Sequence, residues 1–175
     1  MKKINKKLTC LMLIILMIIK YLLHTTSIPN IMMTTFGLLV TFFHYHIFKH
    51  LIADVNVKWR KFILSSVIIT NLFTTVINAS AYFNDLVLFS FTFMTMVILA
   101  KLVFTISCLM LVNECFEKDN KKYLPVSIGF LFLSLLSFVE ILLNIEAIVE
   151  LVILFYYLYI SKQGKENDKT DNIQK

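Results

Sequence analysis

The stretch Leu86–Val112, LVLFSFTFMTMVILAKLVFTISCLMLV, decides the fold of this chain. Its 27 residues carry one charged side chain, Lys101, near the middle. An apolar run of about 18 residues or more is typical of a membrane helix, because about 20 residues at about 1.5 Å each cross about 30 Å of hydrocarbon. A lysine at that depth costs roughly 3 kcal/mol. The sequence therefore predicts a membrane helix in which Lys101 needs a partner or a water-filled cavity.

The composition extends this prediction to most of the chain. Hydrophobic residues make up 58% of the sequence and its mean hydropathy is +0.79, whereas soluble domains are about 45–50% apolar. The net charge of +6 is spread over short basic clusters between apolar runs and does not form one patch. That distribution orients a membrane protein. We therefore expect the lipid bilayer as a partner and no binding of nucleic acid.

Six apolar segments alternate with short polar segments, and each apolar segment is expected to form one membrane helix. The predicted spans cover residues 8–23, 31–48, 62–82, 86–112, 124–143 and 147–160. The last span is the shortest, since its 14 residues cover about 21 Å. Residues 1–161 would thus form a single transmembrane helical domain, followed by a charged cytoplasmic tail over 162–175.

The basic residues predict the orientation of these spans. Lysine and arginine occupy the N-terminus, residues 49–61, residues 118–122 and the tail, while the other three connections contain none. By the positive-inside rule both termini are cytoplasmic, and the six helices pair into three hairpins with short outer turns. The basic N-terminus precedes an apolar run without a small-x-small cleavage site, which indicates an uncleaved anchor. The expected location is the cell membrane, cytoplasmic or inner.

Small and polar side chains recur at helical spacing inside three of the spans. At this spacing they are typical of helix–helix contacts, and the lining of a polar cavity is the alternative. The stripes consist of Thr34, Gly37, Thr41 and His44 in the second span, Asn71, Thr74, Thr75 and Asn78 in the third, and Ser127, Ser134 and Ser137 in the fifth.

Lys101 and Glu150 are the ionisable residues predicted to lie deepest in the membrane. Counted from the span centres, Lys101 lies slightly inside the midplane and Glu150 about 5 Å toward the outside. Both side chains are long enough to meet, so the sequence predicts a Lys101–Glu150 pair, with Asn71 and Asn78 completing a polar ligand site. The alternative is that each charge extends to the nearer interface.

A metal site is a further candidate near the end of the second span. His46, His50 and Asp54 lie at positions i, i+4 and i+8, and two histidines with a carboxylate on one helix face could bind a transition metal. No cysteine pair or fourth ligand accompanies them. The alternative is a set of interfacial histidines that face water.

Motifs of membrane enzymes are missing from the sequence. It has no Gly-x-Ser-x-Gly nucleophile and no glycine-rich phosphate loop, so we expect neither an enzyme nor a cofactor. The preferred function is a non-catalytic transport or solute-binding subunit that uses the polar intramembrane site. The alternative is an accessory protein, of the assembly-factor or toxin-immunity type, whose polar groups only join helices. Both functions imply a membrane or cytoplasmic protein partner.

Overall fold

The chain is all-helical in the computed structural model, which describes residues 6–24, 30–83, 91–138 and 143–171. Within these ranges it forms six helices and no strand, which confirms the all-helical class, while the six membrane spans stay a prediction. The helices are α1 (Lys6–His24), α2 (Asn30–Val55), α3 (Arg60–Phe83), α4 (Phe91–Glu117), α5 (Leu124–Leu136) and α6 (Leu143–Asp171).

The helices form a ring in chain order. Each helix packs against the next, α1 closes the ring on α6, and α2 also approaches α4 across it. Aromatic side chains fill this crossing: the ring centroid of Phe48 lies 4.6 Å from that of Phe130 and 5.8 Å from that of Phe104. Phe48 and Phe130 are each 1% exposed. The ring is therefore a packed bundle at this level and not an open channel.

Three helices run well past the predicted ends of their spans because backbone hydrogen bonding continues where the apolar run stops. α2 extends from the predicted residue 48 to Val55, α4 from 112 to Glu117, and α6 from 160 to Asp171. α6 thus continues into the predicted tail. Asn56 follows α2 with a φ of 57°, and Asp119 follows α4 with a φ of 48°. A residue in this left-handed region is a common helix stop, which Asn and Asp tolerate better than most side chains.

α5 is shorter than predicted. It has 13 residues and ends at Leu136, so the prediction of a continuous helix over 124–143 is wrong. Neither glycine nor proline marks this end. The Ser134 and Ser137 hydroxyls instead donate to the carbonyls of Leu131 and Ser134, at 2.7 and 2.8 Å. Such local bonds compete with the helical pattern.

Among the residues that the structure describes, two helices are long and apolar enough to cross a membrane. They are the Thr35–Val55 part of α2 and the Met94–Glu117 part of α4. α4 thus contains most of the apolar stretch predicted at 86–112, and α5 is a shorter apolar helix.

Candidate functional site

The polar stripes of α2 and α3 face each other. Gly37 lies so close to α3 that a Cβ atom built on it would be 2.7 Å from Thr75 Cγ2. The Thr75 hydroxyl turns back to donate to the Asn71 carbonyl at 2.8 Å. These small residues allow close approach of the two helices, as expected of a helix–helix contact. The side chains of Thr34 and Asn78, also predicted for these stripes, lie outside the described residues.

His44 joins α2 to both α3 and α6. Its Nδ1 lies 3.1 Å from Asn71 Oδ1, and its Nε2 contacts Glu150 Oε1. The Asn71 amide nitrogen donates to the Val67 carbonyl at 2.8 Å, which leaves the amide oxygen facing the imidazole. His44 Nδ1 is therefore the donor to Asn71. The arrangement leaves one proton to be shared between His44 Nε2 and the Glu150 carboxylate.

Two members of this His44–Asn71–Glu150 cluster are buried, and Asn71 is partly exposed. His44 is 9% exposed and Glu150 is 7% exposed. Glu150 lies on the same face of α6 as Ile153, Leu154 and Tyr157, which are buried at helical spacing. Removing one member of a buried ion pair costs about 3–5 kcal/mol because it leaves the other charge uncompensated. The imidazole is thus the partner that allows Glu150 to be buried.

The predicted Lys101–Glu150 pair is wrong. The Lys101 ammonium donates to the Ser137 carbonyl and lies 5.9 Å from the centroid of the Phe138 ring. No ion pair joins Lys101 to an acidic side chain in the part of the chain that the structure describes. The ring order explains this, because α4 packs between α3 and α5, whereas the Glu150 carboxylate on α6 faces α2.

Lys101 instead meets the C-terminal end of α5. The last carbonyls of a helix lack intrahelical partners and carry the negative end of the helix dipole. An ammonium group there satisfies a carbonyl and neutralises part of that dipole. The partner of Lys101 is thus a backbone group at the end of α5.

A second polar cluster lies where α1, α2 and α6 meet the start of α5. Lys6 and Asp54 form an ion pair, and Tyr123 and Tyr157 face the same carboxylate. Burial, together with the negative charge of Asp54, raises the pKa of Tyr123 to about 12. Apolar side chains that are at most 1% exposed separate this cluster from His44, namely Ile47, Leu51 and Leu154.

The predicted metal ligands are not brought together as a metal centre. The His46 ring packs edge-on against Phe42 at 4.5 Å, while Asp54 is engaged by Lys6. His50 Nε2 is buried and has no hydrogen-bond partner among the described atoms. No three His, Cys, Asp or Glu side chains converge as metal ligands anywhere in the described ranges.

The sequence pattern singles out His44 but does not identify its partner on α6. Helical spacing places His44 on the packing stripe of the second span as a helix-contact residue and does not connect it with Glu150. A titratable residue on a packing face needs a polar or charged partner, and that signal could have identified the pair.

Comparison with known proteins gives no match: no family model, curated protein or solved structure resembles the chain. The function must therefore be inferred from the geometry of these clusters.

Proposed function

We propose that the chain is a multi-pass protein of the cell membrane, with six spans in three hairpins and both termini cytoplasmic. The distribution of apolar surface supports this proposal, because every helix carries a large apolar side chain at least 40% exposed. Examples in chain order are Leu11, Leu38, Ile69, Leu99, Phe132 and Val152. Soluble monomers rarely expose contiguous apolar patches of more than a few hundred Å². The ionisable side chains of His44 and Glu150 meanwhile pair between α2 and α6, as lipid surroundings require.

We further propose that it acts as a transport or solute-binding subunit whose polar site is the His44–Asn71–Glu150 cluster. The observation that carries this proposal is the buried pair of the His44 imidazole and the Glu150 carboxylate, which are joined by a hydrogen bond. Ionisable residues at such depth are costly and mark ion pathways, substrate sites and proton relays. A solute with a protonated amine could replace the imidazole as the donor to Glu150.

The early end of α5 also supports a transport role. Transporters commonly place helix ends near the middle of the membrane, where free backbone carbonyls can coordinate a cation. In this chain α5 ends at Leu136, and Lys101 supplies the cation for the Ser137 carbonyl. The helix end is therefore held by a side chain of α4 and could be released if that side chain moved.

The test is to identify what co-purifies with the full chain in mild detergent. Native mass spectrometry should detect a bound small solute, together with a stoichiometric ATPase or permease. The solute should be lost from Glu150→Gln and kept in Asp119→Asn, which removes one exposed carboxylate after the end of α4, outside the cluster. Retention of the solute by Glu150→Gln would contradict the assigned site.

A non-transporting accessory protein is the second candidate. The tight contact between Gly37 and Thr75 and the internal satisfaction of both His44 ring nitrogens favour it, because these features suit a rigid structural bundle. In that case the purified chain should carry no solute but hold a stoichiometric partner of another kind, such as a toxin or an assembly factor. Glu150→Gln would then lower the yield of folded protein without changing the partner.

A further inference from the structure

A cavity of about 560 Å³ lies between the α2–α3 connection and the last turns of α4, away from the His44 cluster. Its volume falls within the range of about 300–1,000 Å³ that is usual for small-molecule sites. Six of the residues that line it are Lys58, Trp59, Leu109, Met110, Asn113 and Phe116.

The walls of this cavity differ in polarity. Leu109 and Phe116 are 57% and 62% exposed and provide an apolar wall along α4. Lys58 and Asn113 provide polar groups, and Trp59, 59% exposed, lies at the edge. An exposed indole beside a basic residue is typical of the boundary between hydrocarbon and lipid headgroups. The cavity thus offers an apolar surface and a cationic group side by side.

The cationic rim is held in place by a buried acid. Glu114, 4% exposed, accepts a hydrogen bond from the Lys58 backbone N–H at 3.2 Å. Its other carboxylate oxygen lies 2.8 Å from the Lys118 ammonium, which also donates to the Asn56 carbonyl. The charge of Glu114 is therefore compensated by Lys118, and its hydrogen bond fixes the backbone at Lys58. These contacts fix the α2–α3 connection at the edge of the cavity.

The Lys58 ammonium forms no ion pair with a described residue, although the Glu114 carboxylate lies near enough to be stabilised by its charge. No acidic side chain lies within ion-pair distance of it among the residues that the structure describes. Exposed Arg60 and Lys61 follow it in the sequence and add positive charge at the same end of α3. Two acidic side chains, Glu114 and Glu117, also line the cavity. Lys118 pairs with the Glu114 carboxylate, and the Glu117 carboxylate accepts a hydrogen bond from Asn113 at 2.7 Å.

We propose that this cavity binds one anionic glycerophospholipid, with its phosphate at Lys58 and an acyl chain along Leu109 and Phe116. The positive charge complements the phosphate, and the apolar wall suits a chain that continues into the bilayer. This inference rests on the proposed membrane placement but is independent of the transport role. It assigns a lipid ligand to the cavity, and the proposed solute site at the His44 cluster does not depend on that lipid.

Trp59 makes the proposal directly testable because it is the only tryptophan in the chain. The full chain is reconstituted in phosphatidylcholine vesicles that contain a fixed fraction of lipid with brominated acyl chains, a quencher of indole fluorescence. The brominated lipid is either phosphatidylglycerol or phosphatidylcholine. We expect at least twofold stronger quenching by the anionic lipid. Equal quenching by the two lipids would overturn the proposal.

Two variants separate a site from general attraction of anionic lipid to a basic surface. Lys58→Gln should bring quenching by the two lipids to the same level. Lys121→Gln removes the same charge from an exposed residue that does not line the cavity, and it should keep the preference. Equal losses in both variants would refute a specific site. Flotation of the same samples reports whether the chain associates with the vesicles. A chain that does not float would refute the membrane placement, whereas a chain that floats without preferring the anionic lipid would refute only the lipid site.

Discussion

The imidazole of His44 on α2 and the carboxylate of Glu150 on α6 form a buried pair between residues 106 positions apart in the chain. Since Asn71 accepts from the other ring nitrogen, one proton serves both groups, on the imidazole or on the carboxylate. The pair therefore links α2 to α6 through a side-chain hydrogen bond.

Substitution of one partner in this pair should destabilise the fold, and substitution of both should restore much of the loss. His44→Ala or Glu150→Ala alone leaves a buried group without its partner, at a cost of about 3–5 kcal/mol. Thermal unfolding in detergent measures the effect. The control cycle combines Lys101→Ala with Glu150→Ala, whose effects should add within about 0.5 kcal/mol because the residues share no partner. Additive losses in the His44–Glu150 cycle would contradict the pairing.

Lys101→Met should loosen the end of α5, because the Ser137 carbonyl loses a charged donor. Hydrogen bonds to charged groups contribute about 1.5–3 kcal/mol. We also expect faster thiol labelling of Phe138→Cys in the Lys101→Met background. Lys121→Met, the control, removes an exposed lysine paired with Asp119 at 3.3 Å and should change neither measurement. Unchanged labelling in Lys101→Met would show that the lysine does not hold the helix end.

Gly37→Ala should push α2 away from α3. The new Cβ would lie 2.7 Å from Thr75 Cγ2 and 2.8 Å from its Oγ1, and such overpacking costs about 1–3 kcal/mol. Combining it with Thr75→Ala removes both close atoms and should recover most of the melting temperature. Leu38→Ala, at an exposed position one residue along α2, is the control and should have little effect. A Gly37→Ala variant as stable as the wild type would contradict the close helix contact.

Tyr123 should titrate about two pH units above an ordinary tyrosine, since its pKa is raised from 10.0 to about 12 by burial and by Asp54. The unfolded chain releases this proton first, so the stabilising contribution of Tyr123 is complete below pH 10 and is lost between pH 10 and about 12. The alkaline absorbance titration of the wild type minus that of Tyr123→Phe isolates this step. Asp54→Asn should lower the pKa only in part, because burial remains.

Tyr159→Phe provides the control for this titration, since Tyr159 is 58% exposed on α6. The high-pH step should persist in that variant. A difference titration for Tyr123 centred at pH 10 would show that its hydroxyl faces water.

The topology can be tested with cysteines placed outside the core. The native thiols of Cys10, Cys108 and Cys115 are free and buried, so they report poorly on sidedness. In a cysteine-free background, Lys121→Cys should resist an impermeant thiol reagent added to intact cells and react after permeabilisation. Cysteines placed at the predicted outer turns, at Asn84 or Asn144, should react without permeabilisation. Labelling of residue 121 from outside would reverse the proposed orientation.

The helical class, the approximate positions of the helices and the face that several of them bury can all be predicted from the amino-acid sequence. Helical spacing predicts that the stripes containing Gly37 and Asn71 make helix contacts, but not that these two stripes face each other. The lone charge of Lys101 in an apolar run also indicates that this side chain needs a partner. These features follow from hydrophobicity and periodicity, which act over a few turns of one helix.

Which groups meet depends on the tertiary structure. Depth along a helix can be counted in a sequence, and by depth alone Lys101 and Glu150 are plausible partners. The ring order places His44 beside Glu150, and the early end of α5 presents a carbonyl to Lys101. The physical reason is that a pairing depends on the angular position of each helix around the bundle. That position is set by the packing of all six helices together and not by any one of them.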